Sequence, residues 1–373
     1  MISKSTLFRQ HHFLEFLRTF DLTRGPLDVF MSLYFRHNPQ LGSKDRLYVV
    51  ERIYTYFRWK LLIEALIGEG HTLLDLVGEN FPIEPKKKLP VNVQVSFPEE
   101  LFQALERSFG EKTQELCLVC NEKAPITVRA NTLKTTRDSL RERLQSYDVE
   151  VKEVPGVEQA LILGKRINLT SLPEFKEGLF EIQDAGSQKV AELLEARPGE
   201  NVLDYCAGAG GKTLAFAHRL QGKGQIYLHD VRRGALDEAK KRLRRAGVQN
   251  VQYVYPEETQ KLSKLKGKMD WVLLDVPCTG TGTLRRSPDI KWKFSKSMLD
   301  SLVQVQRAIF EEGITYVKPG GQLLYATCSL LREENEEQLA YFLQKFPVEV
   351  VGEPFSSTPT KTMDGFFAVI LKQ

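Results

Sequence analysis

The stretch "NVLDYCAGAGGKT", residues 201–213, joins a short apolar run to a loop with glycines at 208, 210 and 211. Such a run followed by a glycine loop is typical of a buried strand that leads into a helix. The glycines let the backbone pass close to a ligand, and the amino end of a helix offers unpaired N–H groups to an anion. The spacing is too short for a Walker loop and is not a clean dinucleotide fingerprint. The loop therefore predicts a ligand site but does not by itself identify the ligand.

From this stretch onward, apolar runs rich in β-branched and aromatic residues alternate with segments of helical composition. The runs are "NVLDYC", "GQIYLHD", "VQYVY", "DWVLLDV" and "GQLLYATC". Strands that are apolar on both faces and separated by helices predict a parallel sheet covered on both sides, which is an α/β fold. Ligands of such sheets bind at the carboxyl ends of the strands, and the polar motifs of this half stand at those ends.

Asp230 ends the second run, where a carboxylate would take the ribose hydroxyls of an adenosine ligand. Its alternative role is that of a helix N-cap. Asp204, inside the entry of the glycine loop, could bind the ligand or only fix the turn. A short loop suits an adenosine ligand without a long phosphate chain, and S-adenosylmethionine is the candidate that we favour.

Two cysteines and an aspartate stand at strand ends that we expect to be neighbours. Asp275 and Cys278 stand at the end of the fourth predicted strand, and Cys328 stands at the end of the fifth. A single buried cysteine is usually a small apolar side chain, but two within polar motifs favour chemistry. Carbon 5 of a pyrimidine accepts a methyl group only after a thiolate has added to carbon 6, and a carboxyl group at ring nitrogen 3 would stabilise that adduct. The pattern alone leaves open which thiol attacks.

Composition narrows the class of protein. The 373 residues are 42% apolar and suffice for two or three domains, with no run long enough to span a membrane and no signal-peptide pattern, so we expect a cytoplasmic protein. Five scattered cysteines indicate reduced thiols, and we expect Cys117 and Cys120 to be buried in a helix, with no metal site. Nothing in the chain suggests an obligate dimer, and we expect a monomer.

The chain before residue 196 divides into two further parts. Apolar residues at helical spacing, such as Phe13, Phe16, Leu17 and Phe20, predict a helical bundle over residues 1–85, which the linker "FPIEPKKKLPVN" closes. Residues 96–195 mix helices with short strands such as "ITVRANTL" and "ALIL", which predicts a small α+β module. The α/β domain then takes residues 196–373.

Six blocks of this sequence together resemble a known family. The blocks are "DYCAGAGGKT", "DVPCTGTGTLRRSPDIKW", "YATCSLLREENEEQ", "VRANTLK", "IQDAGSQ" and "DGFF", and they cover about residues 125–373. They resemble the RNA cytosine-C5 methyltransferases of the Sun or RsmB type. The resemblance implies a Rossmann-like class I S-adenosylmethionine-dependent methyltransferase domain with an RNA-recognition-like α+β extension. The N-terminal helices resemble, more loosely, the NusB-like domain of bacterial members.

The resemblance also implies roles for individual residues. Cys328 matches the nucleophile, Cys278 the cysteine that aids product release, Asp275 the carboxylate that meets the cytosine, and Lys212 the lysine beside that carboxylate. The cofactor-binding set that we expect is Asp204, Cys206, Ala207, Gly208, Gly210, Gly211, Lys212, Asp230, Glu257 and Asp275. The chain departs from the family in having Gly208-Ala209 where Ala-Pro is usual, and in lacking the usual acidic residue after the third strand, for which only Glu257 or Glu258 is at hand.

Contacts to RNA are indicated less directly. The segment 232–247 holds seven basic residues against two acidic ones, and either a solvated helix face or a nucleic-acid footprint would explain it. Backbone or stacking contacts are predicted for a set of six residues, each of which could equally be structural: Arg129, Asn131, Arg285, Arg286, Lys291 and Trp292. A base that reaches the site must be unstacked, which favours a loop, a bulge or an opened helix as the target.

We therefore predict an S-adenosylmethionine-dependent RNA cytosine-C5 methyltransferase, with 16S ribosomal RNA as the expected substrate because of the N-terminal helical domain. A tRNA-modifying enzyme is the nearest alternative. A non-catalytic RNA-binding or ribosome-assembly factor would not need two thiols at the strand ends. A dinucleotide oxidoreductase would explain the glycine loop and Asp230, but it would not explain Cys278 together with Cys328.

Overall fold

Contacts between residues divide the chain into two units. A computed structural model describes residues 3–78, 81 and 88–373 of the protein. The first unit contains Met1–Lys123 and Thr283–Met298, and the second contains Ala124–Gly282 and Leu299–Gln373. A segment that follows the "DVPC" motif in the sequence thus packs with the N-terminal helices.

The helices alternate with strands from residue 126 onward. They are α1 (Lys4–Thr19), α2 (Leu27–His37), α3 (Ser43–Ile67), α4 (Leu73–Leu76), α5 (Val91–Gln94), α6 (Glu99–Phe109), α7 (Thr113–Asn121), α8 (Arg137–Gln145), α9 (Pro173–Lys176), α10 (Ala185–Glu192), α11 (Gly211–Phe216), α12 (Arg233–Ala246), α13 (Thr259–Ser263), α14 (Ile290–Lys293), α15 (Lys296–Ile314) and α16 (Glu336–Lys345). Short 3₁₀ helices lie at Leu22–Arg24, Gly110–Lys112, Leu169–Ser171, Ala217–Leu220, Thr281–Thr283 and Arg332–Glu334.

The first unit is the predicted helical bundle. Its core is built from the apolar stripes of α1, α2 and α3, with Phe13 and Phe16 fully buried and Ile53 against them. Burying an aromatic or aliphatic side chain of this size contributes roughly 1.5–3 kcal/mol each. Cys117 and Cys120 are buried in α7, as predicted.

Contacts between residues divide the chain at residue 123, whereas the sequence predicts the end of the bundle at residue 85. Residues 96–123 pack with the helices of the first unit, although the sequence placed them in the α+β module. The Leu61 N–H donates to the Ser96 hydroxyl at 3.0 Å, and Lys123 pairs with Glu51. The predicted boundary at residue 85 lies outside the described residues, as do residues 82–87 of the predicted linker at 81–92. The last two residues of that linker begin α5, which is Val91–Gln94.

The second unit contains two sheets. Its strands are β1 (Ile126–Ala130), β2 (Val151–Glu153), β3 (Ala160–Leu163), β4 (Phe180–Ile182), β5 (Asn201–Asp204), β6 (Gln225–His229), β7 (Val251–Val254), β8 (Met269–Asp275), β9 (Val317–Thr327), β10 (Glu349–Ser357) and β11 (Phe366–Lys372). The first four form an antiparallel sheet in the order β2-β3-β1-β4, which confirms the predicted α+β module for this part of the chain.

The larger sheet has the order β10-β11-β9-β8-β5-β6-β7. Strands β5 to β9 are parallel, as the alternation of strands and helices predicted. The sequence analysis did not identify the two strands that extend this sheet: β11 pairs antiparallel with β9, and β10 pairs antiparallel with β11. Five of the seven side chains of β11 are buried, and the strand lies between β10 and β9. It is therefore an interior strand of the sheet and part of its core.

The strand order reverses between β5 and β8. From β5 the chain adds β6 and β7 on one side, and it then returns to place β8 and β9 on the other. The carboxyl ends of neighbouring strands at such a reversal leave a crevice in which α/β proteins bind ligands. No helix of the described residues, 3–78, 81 and 88–373, has the length and apolarity needed to cross a bilayer.

Candidate active site

Three predicted site residues meet at the carboxyl edge of the large sheet. Asp204 ends β5, Asp275 ends β8, and Cys328 directly follows β9. Because β8 lies between β5 and β9, the three strand ends are neighbours at the reversal of strand order. The predicted convergence of these motifs is confirmed.

The two thiols face each other. The Cys278 and Cys328 sulfurs are 3.4 Å apart, and both side chains are partly buried. The contact with Cys328 raises the pKa of the Cys278 thiol well above its usual range, and burial and the nearby charge of Glu334 act in the same direction. A thiolate is the form that attacks carbon. The raised pKa favours the protonated thiol of Cys278 over its thiolate.

Lys212 and Asp275 form an ion pair beside the thiols. The Lys212 Nζ lies 2.5 Å from a carboxylate oxygen of Asp275, and the lysine side chain is only 8% exposed. Burial by itself would lower the pKa of Lys212, but the charge of Asp275 and the hydrogen bond to it oppose this effect, as do Cys328 and Asp204. The balance raises the pKa, so Lys212 carries its positive charge at the site.

Asp204 is a buried carboxyl group with one satisfied oxygen. The Thr213 hydroxyl donates to its Oδ2 at 2.6 Å, whereas its Oδ1 has no hydrogen-bond partner among the described residues. Burial raises the pKa of Asp204 to about 7, although the hydrogen bond from Thr213 opposes the shift. A buried acceptor without a partner is costly, and a donor from a bound ligand would relieve that cost.

The glycine loop is held by Asp230. The Gly208 N–H donates to one carboxylate oxygen of Asp230 at 2.8 Å, and the Arg232 guanidinium contacts both oxygens. Gly208 and Gly210 have φ values of +52° and +74°, which residues with a Cβ rarely adopt. A Cβ on Gly210 would also lie 3.2 Å from the Ala239 Cβ of α12. Asp230 does not cap α12, because the N-cap position belongs to Arg232.

The remaining residues of the expected cofactor set lie around this loop. The Ala207 N–H donates to the His229 carbonyl at 2.9 Å, which ties the loop to the end of β6. Burial, followed by the charges of Asp204 and Asp275, raises the pKa of the Cys206 thiol. Glu257, beyond the end of β7, is exposed and pairs with Arg233. Its predicted contact with the adenine side of a cofactor stays a prediction.

Two of the residues expected to contact RNA are interior side chains of the second unit. Arg129 is 2% exposed and donates to the Gln183 side chain at 2.9 Å, and burial lowers the pKa of this guanidinium to about 10. The Asn131 amide donates to the Gly178 and Ala246 carbonyls at 2.8 Å. The expectation of direct RNA contacts is corrected for both residues, because their polar atoms are turned into the protein.

Two of the four residues expected at 285–292 are also interior side chains. Arg285 and Lys291 are 1% exposed, which corrects the expectation of RNA contacts for these two. The Lys291 Nζ donates to the carbonyls of Arg58 and Ser96 and to the Asn121 side chain. The acceptors around the Lys291 amine belong to the helical unit, so this amine is directed into the protein and not toward a phosphate.

Arg286 and Trp292 are partly buried. The Trp292 indole N–H donates to the Phe57 carbonyl at 2.8 Å, and its ring packs on the core of the helical unit. A stacking role for this ring and a backbone contact for Arg286 stay predictions.

Sequence reasoning missed two groups of buried polar residues. Glu334 lies behind the thiols and accepts hydrogen bonds from both thiol-bearing loops, although its position in "REENEEQ" looks like a solvated helix start. Glu181 pairs with Arg242 and Arg245 of α12, and Arg242 also donates to the Ala209 carbonyl of the glycine loop at 2.8 Å. The acid in an otherwise apolar strand, "LFEI", was the available signal for Glu181.

Two family models match this chain. The model described as "16S rRNA methyltransferase RsmB/F" matches residues 191–369, and the ferredoxin-like domain of the RsmF/B-like methyltransferases matches residues 97–170. The chain belongs to the RsmB/F methyltransferase family. The cofactor of this family is S-adenosylmethionine.

A curated relative agrees with this membership. The probable ribosomal RNA small subunit methyltransferase B of Synechocystis sp. is 35% identical over 276 residues, which is 73% of this chain. The match spans 62% of the length of that relative.

Two solved structures have the same fold as this RsmB/F family member. A protein entitled PH0851 superposes with a TM-score of 0.81, covers 93% of this chain and 94% of its own, and is 24% identical. A methyltransferase homologue from Pyrococcus horikoshii superposes with a TM-score of 0.66, covers 76% of this chain and 97% of its own, and is 29% identical. The Rossmann-like methyltransferase fold is confirmed.

The residues of this family member fit the cofactor. Asp230 follows β6 at the position where a carboxylate meets ribose hydroxyls, and the unpartnered oxygen of Asp204 offers an acceptor to a cationic or hydrogen-bonding group. A Cβ on Gly211 would meet open space, so the backbone here leaves room for a ligand.

Proposed function

We propose that this protein is an S-adenosylmethionine-dependent RNA cytosine-C5 methyltransferase that acts on 16S ribosomal RNA. The observation that carries the proposal is the pair of thiols 3.4 Å apart, beside the Lys212–Asp275 ion pair, at the carboxyl edge of the sheet. A factor that only bound RNA would have no need of two adjacent thiols. An oxidoreductase would not need them beside an ion pair of this kind.

The two thiols divide the reaction between them. The cofactor, when bound, supplies an electrophilic methyl group. The Cys328 thiolate adds to carbon 6 of the cytosine, which places electron density on carbon 5 and lets that carbon take the methyl group. A base then removes the proton from carbon 5, and the bond between carbon 6 and the Cys328 sulfur breaks. Cys278, whose sulfur touches that of Cys328, is placed to assist this release.

The ion pair serves the base. The Asp275 carboxyl group meets the edge of the cytosine that carries ring nitrogen 3, and the positive charge of Lys212 lies next to the density that addition places on the ring. A fixed charge in a partly buried site stabilises such an intermediate without reorganising solvent. The base must leave its stack to reach these groups, which favours an opened or single-stranded target.

The choice of 16S ribosomal RNA is supported by the match to the 16S rRNA methyltransferase RsmB/F model and by the Synechocystis relative, a probable ribosomal RNA small subunit methyltransferase. The N-terminal helical unit, which the sequence likened to a NusB-like domain, supports the same choice. A tRNA substrate is the alternative that the experiment must separate.

The test uses the purified protein with labelled cofactor and either 16S ribosomal RNA or bulk tRNA. We expect Cys328→Ala to abolish methyl transfer, and Cys278→Ala to leave a covalent protein–RNA adduct that survives a denaturing gel. Cys120→Ala, which removes a buried thiol of the helical unit, is the matched control and should keep activity. Bisulfite sequencing of both RNAs identifies the modified cytosine.

The outcomes separate the alternatives. An adduct in Cys328→Ala and none in Cys278→Ala would reverse the two roles. Full activity in both variants would exclude thiol catalysis altogether. Methylation of tRNA with unmodified 16S RNA would replace the substrate and keep the reaction.

A further inference from the structure

Glu334 is a fully buried carboxylate that touches both thiol-bearing loops. One of its oxygens accepts from the Thr279 N–H at 2.9 Å and from the Gln306 amide at 2.9 Å. The other accepts from the Thr279 hydroxyl at 2.5 Å and from the Ser329 hydroxyl. These donors are uncharged, so the carboxylate is held by hydrogen bonds rather than by a salt bridge.

Two of the three donor residues stand next to the thiols in the sequence. Thr279 follows Cys278, and Ser329 follows Cys328. A single side chain thus accepts from the neighbour of each cysteine, across loops that leave two different strands. The Gly282 N–H adds a direct link between the loops, since it donates to the Cys328 carbonyl at 2.9 Å.

Further hydrogen bonds hold the backbone and the neighbours of Glu334 in place. The Tyr325 hydroxyl donates to its backbone carbonyl at 2.9 Å. The adjacent Asn335 accepts from the Thr327 hydroxyl at 2.6 Å and donates to the Ser329 carbonyl at 3.0 Å. The Gln306 amide donates to the Pro277 carbonyl as well as to Glu334. A buried polar network in which each member has partners holds one geometry.

Glu334 has no part in proton transfer in this arrangement. Its oxygens already accept four hydrogen bonds, and its side chain is 0% exposed. Burial raises its pKa, while the hydrogen bonds from Ser329 and Thr279 oppose the shift. A carboxylate that is saturated by donors and closed to solvent acts on its neighbours' positions.

We propose that Glu334 is a positioning residue that clamps the loops after β8 and β9 and thereby fixes the separation of the Cys278 and Cys328 sulfurs. The role of those thiols in catalysis rests on the proposed function. Without the clamp, each loop keeps its strand but loses its shared acceptor. The thiols then separate, and the step that needs both of them, the release of the adduct, slows.

The first experiment needs neither RNA nor cofactor. Oxidised glutathione converts the two thiols to a disulfide, and each disulfide that forms releases two molecules of reduced glutathione. The equilibrium in a glutathione buffer, read by mass spectrometry of the peptides that contain Cys278 and Cys328, measures the effective concentration of one thiol at the other. A residue that only stabilised the fold would not change this quantity in the folded protein.

The variants are chosen to separate position from folding. Glu334→Gln keeps the size of the side chain but places an amide NH2 group against the N–H and O–H donors that the carboxylate accepts from. Glu334→Asp keeps the carboxylate and shortens the side chain by one methylene. Glu337→Gln removes the same charge from an exposed position of the same segment and is the control. Circular dichroism and cofactor affinity establish that each variant is folded.

We expect the effective concentration to fall about tenfold or more in Glu334→Gln, to fall less in Glu334→Asp, and to stay unchanged in Glu337→Gln. A folded Glu334→Gln protein with the wild-type value would overturn the proposal. If neither Glu334 variant folds, Thr279→Val decides, because it removes one hydroxyl donor and keeps the shape; a wild-type value there overturns the proposal as well.

A second arm follows single-turnover methylation. Glu334→Gln should retain the covalent RNA adduct longer than the wild-type protein does, with cofactor affinity unchanged. If the wild-type protein forms no adduct and methylates no RNA, the proposed function fails. The disulfide equilibrium still decides the role of Glu334 in that case, so the two failures are distinguishable.

Discussion

Two buried lysines of this protein have opposite electrostatic surroundings. Lys212 is 8% exposed and lies 2.5 Å from the Asp275 carboxylate, which contributes to raising its pKa. Lys291 is 1% exposed and donates to two carbonyls and an amide oxygen. Burial lowers the pKa of Lys291 to about 7, because the acceptors around it carry no full negative charge.

The comparison shows that burial of a basic residue does not by itself mark a site. Lys212 stands with a carboxylate and two thiols at the carboxyl edge of a sheet, where a ligand can use its charge. Lys291 stands in the segment Thr283–Met298, which packs with the helical unit, and its amine lies among three uncharged hydrogen-bond acceptors. The partner of the amine, rather than its burial, separates the two roles.

The largest expected effect concerns Lys212. We expect Lys212→Met to lower the single-turnover rate of methylation by about 10²–10⁴-fold, because the charge beside the base is lost at the moment when the ring gains electron density. Lys345→Met, which removes a partly exposed lysine of α16, is the control and should keep the rate. A Lys212→Met rate within threefold of wild type would mean that Lys212, like Lys291, has a structural role and does not act in the reaction.

Lys291 should act on stability instead. The neutral Lys291 amine present at pH 9 has two N–H donors for its buried acceptors. Lys291→Met removes both, and we expect it to lower the free energy of unfolding by about 2–4 kcal/mol at this pH. Urea titrations measure this loss. The slope of log RNA affinity against log salt should not change, because the amine does not reach a phosphate. A slope smaller by about one would instead indicate a phosphate contact.

The pH dependence of the same variant sharpens the contrast. The pKa of Lys291 is about 7 in the folded protein, whereas the usual pKa of a lysine, which applies to the unfolded chain, is 10.5. The unfolded chain therefore binds more protons in this range, and the stability of the wild-type protein rises with pH by roughly 1.4 kcal/mol per unit because of this group. The contribution is lost as the pH falls toward 7. Urea titrations of Lys291→Met at pH 7, 8 and 9 should lack this rise of the free energy of unfolding with pH.

Asp204 should show the reverse sign, with a smaller effect. Its pKa is raised from 3.8 to about 7, chiefly by burial, so the folded protein binds more protons than the unfolded chain between these values. Stability from this group is present below pH 4 and is lost as the pH rises through 7, at roughly 1.4 kcal/mol per unit. Asp204→Asn should remove this component in the absence of cofactor. Identical pH profiles for variant and wild type would contradict the assigned environment.

Much of the fold was predictable from local pattern. The strands β5 to β9 and the helices between them follow from apolar runs and helical spacing, because side chains repeat every two residues in a strand and about every 3.6 in a helix. The antiparallel pair β10 and β11 was not predicted, since the pairing partner of a strand is a property of the whole sheet.

The convergence of the strand-end motifs was predictable from the sequence, whereas the side chains that surround them were predictable only in part. The positions of Asp275, Cys278 and Cys328 at the ends of neighbouring strands predicted that these residues lie close together, and the two sulfurs are adjacent in the structure. It could not find Glu334, because an acidic residue near a helix start is commonly solvated. Whether such a residue is exposed or buried depends on what another part of the chain places over it.

The sequence by itself determined the strand ends, the glycine loop and the motifs that place this chain in its family, because each depends on neighbouring residues. Only the tertiary structure decided which polar side chains face a ligand and which face the protein. Lys212 and Lys291 have the same chemistry in the sequence. Residues distant in the chain supply the carboxylate to one and the neutral acceptors to the other, and this difference sets their charge and their roles.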